Sequence, residues 1–159
     1  MARARVWCAI TGRISRMSDD LYVRKLMDLS SDLPRAGRLD APDGTATAHS
    51  RLCGSTVVVD VSVDGEGRVT DYAHDVRACM LGKAAASLVA RHVVGATLPE
   101  VSTLRDTVRA MLKEDGPPPV GRWEAFEALL PVRAYKARHS STLLALDATV
   151  DALAVATAA

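Results

Sequence analysis

The stretch Thr56-Val57-Val58-Val59-Asp60-Val61-Ser62-Val63, the turn Asp64-Gly65-Glu66-Gly67 and the return Arg68-Val69-Thr70-Asp71-Tyr72-Ala73-His74-Asp75-Val76 decide the fold. Successive strand side chains point to opposite faces, so Val57, Val59, Val61 and Val63 share one face, with Thr56, Asp60 and Ser62 opposite. Two glycines among Asp and Glu between two such runs form a hairpin turn. Upstream, residues 45–52 alternate small and polar side chains and read as a preceding strand. Three antiparallel strands result, with one valine face that has to be covered.

The cover lies downstream. Residues 79–94 are Ala-rich and helical, with Gly95 as terminator. Thr97-Leu98-Pro99-Glu100 is a capping box that opens a helix with Val101, Leu104, Val108, Met111 and Leu112 on its stripe. Asp115-Gly116 and Pro117-Pro118-Pro119 break the chain. A short segment at 123–130 follows, closed by Pro131, and its conspicuous aromatics Trp123 and Phe126 read equally as a partner-binding surface patch or as ordinary packing. The last helix spans about 139–153, with Leu143, Leu146, Val150 and Leu153 inward. Before the strands, Ser18 or Asp19 caps a helix carrying Leu21, Tyr22, Met27 and Leu29, and 34–44 is a loop rich in turn formers. The fold class is α+β: a small three-stranded antiparallel sheet with helices packed on one face.

The chain of 159 residues suits one domain, and a net charge of +1 gives no pointer to nucleic acid. Aromatic residues make up only 4%, which argues against an aromatic platform for stacking bases. No apolar run approaches the roughly 20 residues of a membrane span. Three widely spaced cysteines do not make a disulfide framework, so the expectation is a reducing, cytoplasmic setting. Residues 1–17 differ from the rest: Arg3, Arg5, Arg13 and Arg16 occur with no acid before Asp19. That segment is either an organellar transit peptide or the product of an upstream start, with Met17 the natural beginning. The domain is taken as 18–159, and Cys8 receives no role.

The chemistry centres on Cys53 and Cys79. Cys53 lies in Arg51-Leu52-Cys53-Gly54-Ser55, just before the valine strand; Cys79 lies in Arg77-Ala78-Cys79-Met80-Leu81-Gly82, where strand gives way to helix. A thiol at a helix start beside an arginine has a lowered pKa. In a three-strand meander both positions fall at the same end of the sheet, so the sulfurs can converge on one metal-sized site. His139 or Ser140, at the start of the last helix, is the third contributor; His49, four residues before Cys53, can also approach. Two buried cysteines acting as small apolar residues are the plain alternative. Zinc and iron–sulfur clusters both favour thiolates and accept imidazole.

The order of elements, Pro34-Arg35-Ala36-Gly37, the Cys53-Gly54 step into a valine strand, and Cys79 before the small-residue helix with Ala84-Ala85-Ala86-Ser87 resemble the iron–sulfur cluster assembly scaffolds of the IscU/NifU N-terminal type. The resemblance covers about 21–153. It implies a scaffold that assembles a cluster, [2Fe–2S] and labile, or holds zinc, with sulfur from a cysteine desulfurase and delivery to apo client proteins. In that family three cysteines and an acidic residue are the ligands. Cys53 and Cys79 match the first two cysteines, and His139 matches the histidine that often precedes the third. Ser55 stands where the aspartate is usual and Ser140 where the third cysteine is usual. Leu130-Pro131-Val132-Arg133 echoes the family's chaperone-recognition run. The ligand set expected here is Cys53, Cys79 and His139, in a protein that is not an enzyme.

A second reading keeps the fold and drops the cluster: a non-catalytic interaction protein in which both cysteines are remnants. An enzyme is the least supported class. Ser55 lacks a nucleophile-elbow pattern, and there is no HExxH or phosphate-cradling glycine loop. His74 and His92 read as packed or solvated.

Overall fold

The structure, a computed structural model, describes residues 20–52 and 54–158. The basic leader and Cys53 lie outside the described residues. Three strands, β1 (Gly44–His49), β2 (Thr56–Val63) and β3 (Val69–Arg77), form one antiparallel sheet in the order β1-β2-β3. Val57, Val59 and Val61 are completely buried, and their partners across the ladder are Val76, His74 and Tyr72. This is the core face that the alternation required.

A first helix, α1, covers 20–31; α2 is Met80–His92, α3 Leu98–Lys113 and α4 His139–Thr157. Helix α4 lies on β1 and β2 and also carries α2 and α3, so it is covered on most sides. Its buried residues run from His139 through Leu143, Leu146 and Val150 to Leu153. By length and composition, residues 136–157 could cross a membrane. The expectation that no apolar run approaches this length does not hold, and burial inside the domain accounts for this helix's apolarity. Small side chains let the helices approach: Ala84, Ala85 and Ala86 of α2 are fully buried. Helix α3 opens on the expected capping box, the Thr97 amide donating to the Glu100 carboxylate at 2.9 Å.

Three details depart from the sequence reading. On α1 the anchor is Leu26, 3% exposed, while Leu21 and Met27 lie largely in solvent. The helix touches the body along a narrow line, continued by Leu29 and Leu33. Second, Phe126 is fully buried and pairs edge-to-face with the half-buried Trp123 at 6.2 Å, so the two form packing rather than a surface patch. They sit in a 3₁₀ segment, Gly121–Ala134, that runs on through Pro131.

Third, the loop after α1 is structural. Ala36 bridges His74 on the outer edge of β3, with Gly37 N donating to His74 O at 2.8 Å, which covers an otherwise open edge. The loop also shields Asp60 on the far sheet face. That carboxylate accepts from Arg38 Nε at 2.6 Å, Thr45 Oγ1 at 2.6 Å and the Leu39 amide at 3.1 Å. A charge removed from water needs such full pairing.

Candidate functional site

Register brings the sheet ends together first. His49 pairs with Thr56 and Thr56 with Arg77, so the β1–β2 turn and the exit of β3 share one end of the sheet. Cys79 follows Arg77 by two residues and occupies the N-cap of α2. Helix α4 starts at the same end. Two hydroxyl contacts tie the three elements: Ser50 Oγ to Ser140 Oγ at 3.3 Å, and Cys79 Sγ to Ser141 Oγ at 3.6 Å. The β1–β2 turn is closed by Ser50 N to Ser55 O and by Gly54 N to Ser50 O, both 2.9 Å. Gly54 has φ +71°, a left-handed conformation that glycine adopts without strain.

Cys79 is a half-buried free thiol. Burial, the largest influence, pushes the thiol up. The Gly82 amide, the Ser141 hydroxyl, the Leu81 amide and the charge on Arg138 act the other way and outweigh it, leaving the thiol below its ordinary value. No formed side-chain capping bond accompanies this, so the α2 amides act on the sulfur as oriented dipoles. The cation concerned is Arg138 from the α4 side, in place of the expected Arg77. Close approach of the two helix starts depends on Gly82, where a Cβ would meet Ala78 Cβ at 2.8 Å and Ser141 O at 3.1 Å.

The sulfur borders an apolar cavity of about 800 Å³ that Val23 and Leu26 of α1, Leu81, Pro131, Tyr135 and Arg138 also line. Arg133 lines it too, with its guanidinium committed to Met111 O at 2.7 Å and Gly116 O at 2.9 Å.

His139 is 5% exposed, and its Nε2 lies 3.0 Å from Val132 O and 3.2 Å from Arg133 O. Facing two carbonyls, Nε2 acts as the donor, and Nδ1 is the nitrogen that faces neither of them. Cys79 and His139 thus sit at one end of the domain, and among the described residues no hydrogen bond joins them. Among the described residues no group of three His, Cys, Asp or Glu side chains is arranged to hold a metal ion. His49 is exposed and bonded through Nδ1 to Thr56 Oγ1 at 3.0 Å. His74 is buried, with Nε2 on Pro34 O at 2.9 Å.

The residues that sequence reasoning missed are Ser50, Ser141, Arg138 and Gly82. The consecutive serines at the helix start were visible. Only the helical phase decides that the second of them, Ser141, meets the sulfur.

The model of the NifU-like N-terminal domain matches residues 21–140. The fold is similar to the crystal structure of a nitrogen-fixing NifU-like protein (N-terminal) from Brucella abortus, with 47% sequence identity and a TM-score of 0.83 over 88% of this chain and 96% of that one. It is also similar to a protein from the thermophile Fervidobacterium islandicum AW-1, described as a candidate iron–sulfur cluster assembly scaffold for the SUF system. There the identity is 18% and the TM-score 0.74, over 81% of this chain and 93% of that one, a likeness of fold. No curated protein matches. This chain belongs to the NifU-like N-terminal domain family, the iron–sulfur cluster assembly scaffolds of the IscU/NifU type.

Proposed function

We propose that this protein is an assembly scaffold that receives iron and sulfur at the Cys79 end of the domain and passes the product to client proteins. The observation that carries the reading is Cys79 itself: a thiol held below its ordinary pKa at a helix start, lining a cavity. Thiolates are the donors that iron–sulfur clusters and zinc prefer.

The proposed ligands are Cys53, Cys79 and His139, the last through Nδ1, the nitrogen that does not face the carbonyls. The cargo is a labile [2Fe–2S] cluster or a zinc ion. Ser140, in the position of the family's third cysteine, is a poor donor because a hydroxyl must give up a proton of very high pKa. A site short of one thiolate holds its cargo loosely, which suits transfer by ligand exchange and not catalysis of a bond-breaking reaction. A cysteine desulfurase supplies the sulfur and apo-proteins take the product. A cytoplasmic, reducing setting keeps the thiols available, and residues 18–159 form the working domain.

The test is anaerobic reconstitution with iron, sulfide and a cysteine desulfurase, followed by iron, sulfide and zinc analysis and an absorption spectrum. Stoichiometric thiolate-to-iron charge-transfer bands that vanish in Cys53→Ala and Cys79→Ala support the reading. Absence of iron uptake refutes cluster assembly.

The alternative, an interaction protein that has lost its cluster, is favoured by one contact. Ser140 Oγ is bonded to Ser50 at 3.3 Å, which makes the third ligand position part of the framework. Wild-type protein free of iron and zinc after reconstitution would select it.

A further inference from the structure

The sheet's outer edges differ. That of β3 is covered by the loop at Ala36 and Gly37. That of β1 has no strand beside it among the described residues. Ser50 N bonds Ser55 O, and bonded and unbonded pairs alternate along an antiparallel ladder, so Ala48, Ala46 and Gly44 turn their main-chain groups to β2. Those of Thr45, Thr47 and His49 therefore point outward, and all three residues are exposed. Among the described residues no backbone bond reaches them from outside the sheet.

An open edge is a template for another strand, and proteins usually blunt it with Pro, Lys or a bulge. Gly44–His49 has neither Pro nor Lys and pairs with β2 without a break in register. Ala46 and Ala48, opposite Val59 and Val57 on the core side, are only partly buried, an apolar margin that one more strand would cover.

We infer that this edge pairs antiparallel with β1 of a second copy of the chain, about a two-fold axis at Thr47, so that the sheet continues across both copies. The occupant follows from the strand's own complementarity. Residues equally far from Thr47 stand opposite each other in such a pair: Thr45 meets His49 and, just beyond the strand, Asp43 meets Arg51. Both charged residues are exposed, and among the described residues neither is in an ion pair. An axis at Thr45 or His49 keeps the main-chain pairing and loses this charge match. A parallel arrangement in the same register sets Asp43 against Asp43 and Arg51 against Arg51, which is unfavourable. Charge thus selects both direction and register. At roughly 3.4 Å per residue, Ser50 lies about 10 Å from the axis, so the β1–β2 turns of the two copies point apart and each copy keeps its own Cys79 site.

The experiment follows sedimentation and amide hydrogen exchange of the full chain from about 10 μM to about 1 mM, a range suited to a small, weak interface. The expected result is a concentration-dependent monomer–dimer equilibrium. In it the amides of Thr45, Thr47 and His49 slow their exchange as dimer forms, while those of Ala46 and Ala48, already bonded to β2, change less. Thr47→Pro removes an outward N–H without touching the ladder to β2 and should abolish the dimer. Thr47→Lys, which sets like charges face to face, should do the same and serves if circular dichroism shows that the proline disturbs the fold. Asp43→Asn, whose amide oxygen can still accept from Val63 N, and Arg51→Gln should each weaken association about threefold. A monomer throughout, a dimer that survives Thr47→Lys, unchanged association of both charge variants, or concentration-dependent protection only at other amides overturns the inference. So does full protection of the three amides at the lowest concentration, which would mean that the edge is covered within one chain.

Discussion

Cys79 Sγ and Ser141 Oγ stand 3.6 Å apart although 62 positions separate them in sequence. The same Ser141 hydroxyl lies 3.1 Å from Arg138 O, to which it donates. A hydroxyl has one proton, so it can point at the carbonyl while the sulfur is protonated, or at the sulfur once it ionises. The start of α4 is therefore coupled to the ionisation of a cysteine at the start of α2.

This coupling sets a pH dependence. With the thiol below its ordinary value, alkylation of Cys79 by iodoacetamide should reach half its maximal rate at a lower pH than that of an unperturbed cysteine. Ser141→Ala should move that midpoint upward, because a group favouring the thiolate is gone. A midpoint unchanged by Ser141→Ala would show that the hydroxyl has no influence on the sulfur.

Gly82→Ala should disturb the site without touching a donor atom. The added Cβ would sit 2.8 Å from Ala78 Cβ and 3.1 Å from Ser141 O. Overpacking of this kind costs about 1–3 kcal/mol, and relief requires Ala78 to shift and the start of α4 at Ser141 to give way slightly. Denaturant unfolding should register the loss, with slower Cys79 alkylation at neutral pH. Wild-type stability and reactivity would mean that the two helices tolerate the methyl group.

Ser140→Cys restores the kind of donor that the family uses at this position. It should increase the iron retained after reconstitution and lengthen the decay of the visible absorption in air. Ser50→Ala, which only frees Ser140 from its 3.3 Å partner, should do neither. Equal decay in Ser140→Cys and wild type would mean that position 140 does not reach the cargo.

Asp60 anchors the loop that follows α1. Burial pushes its carboxyl up; bonds from Arg38, Thr45 and the Leu39 amide and the Arg38 charge pull harder, and the net shift is downward. A folded pKa below the unfolded value means stability that is full above the unfolded pKa, about 3.9, and lost as pH falls through the folded value. Asp60→Asn should cost about 2 kcal/mol at neutral pH and flatten acid unfolding below about pH 4. Parallel pH–stability curves for variant and wild type would contradict this.

His74 has the opposite chemistry and its own window. Burial pushes its pKa down, more than Pro34 O and the Asp75 charge raise it, and its buried Nδ1 has no hydrogen-bond partner among the described residues. The folded state therefore holds it neutral. The unfolded chain takes up a proton below about pH 6.5, so stability is full above that value and declines beneath it. His74→Gln, whose amide can still reach Pro34 O, should lose less stability between pH 7.5 and 5 than wild type does. Equal losses would assign the acid sensitivity elsewhere.

Much of this fold was legible in the sequence because its strongest signals are local. The alternation in 56–63 and the Asp-Gly-Glu-Gly turn need only a two-residue period and glycine's backbone freedom, and both strands emerged where expected. The capping box at Thr97 and Glu100 is equally local. Cys79 at a helix start followed from where strand pattern yields to helix pattern. The family, too, could be named from the two cysteine motifs.

What only the tertiary structure decided is set by distance through space. A helical period cannot show that Leu26, and not Leu21 or Met27, anchors α1, since a short helix on a surface rests on one line of contact. Nor can it show that Arg138 acts on Cys79, that Ser141 and not Ser140 meets the sulfur, or that His139 spends Nε2 on two carbonyls. These relationships depend on the rotation of α4 about its own axis, where one residue step turns a side chain by about 100°. That rotation is fixed by burying Leu143, Leu146 and Leu153 against sheet and helices. The sequence thus determined the strands, the capping box and the family, and core packing decided which side chains meet at the Cys79 end of the sheet.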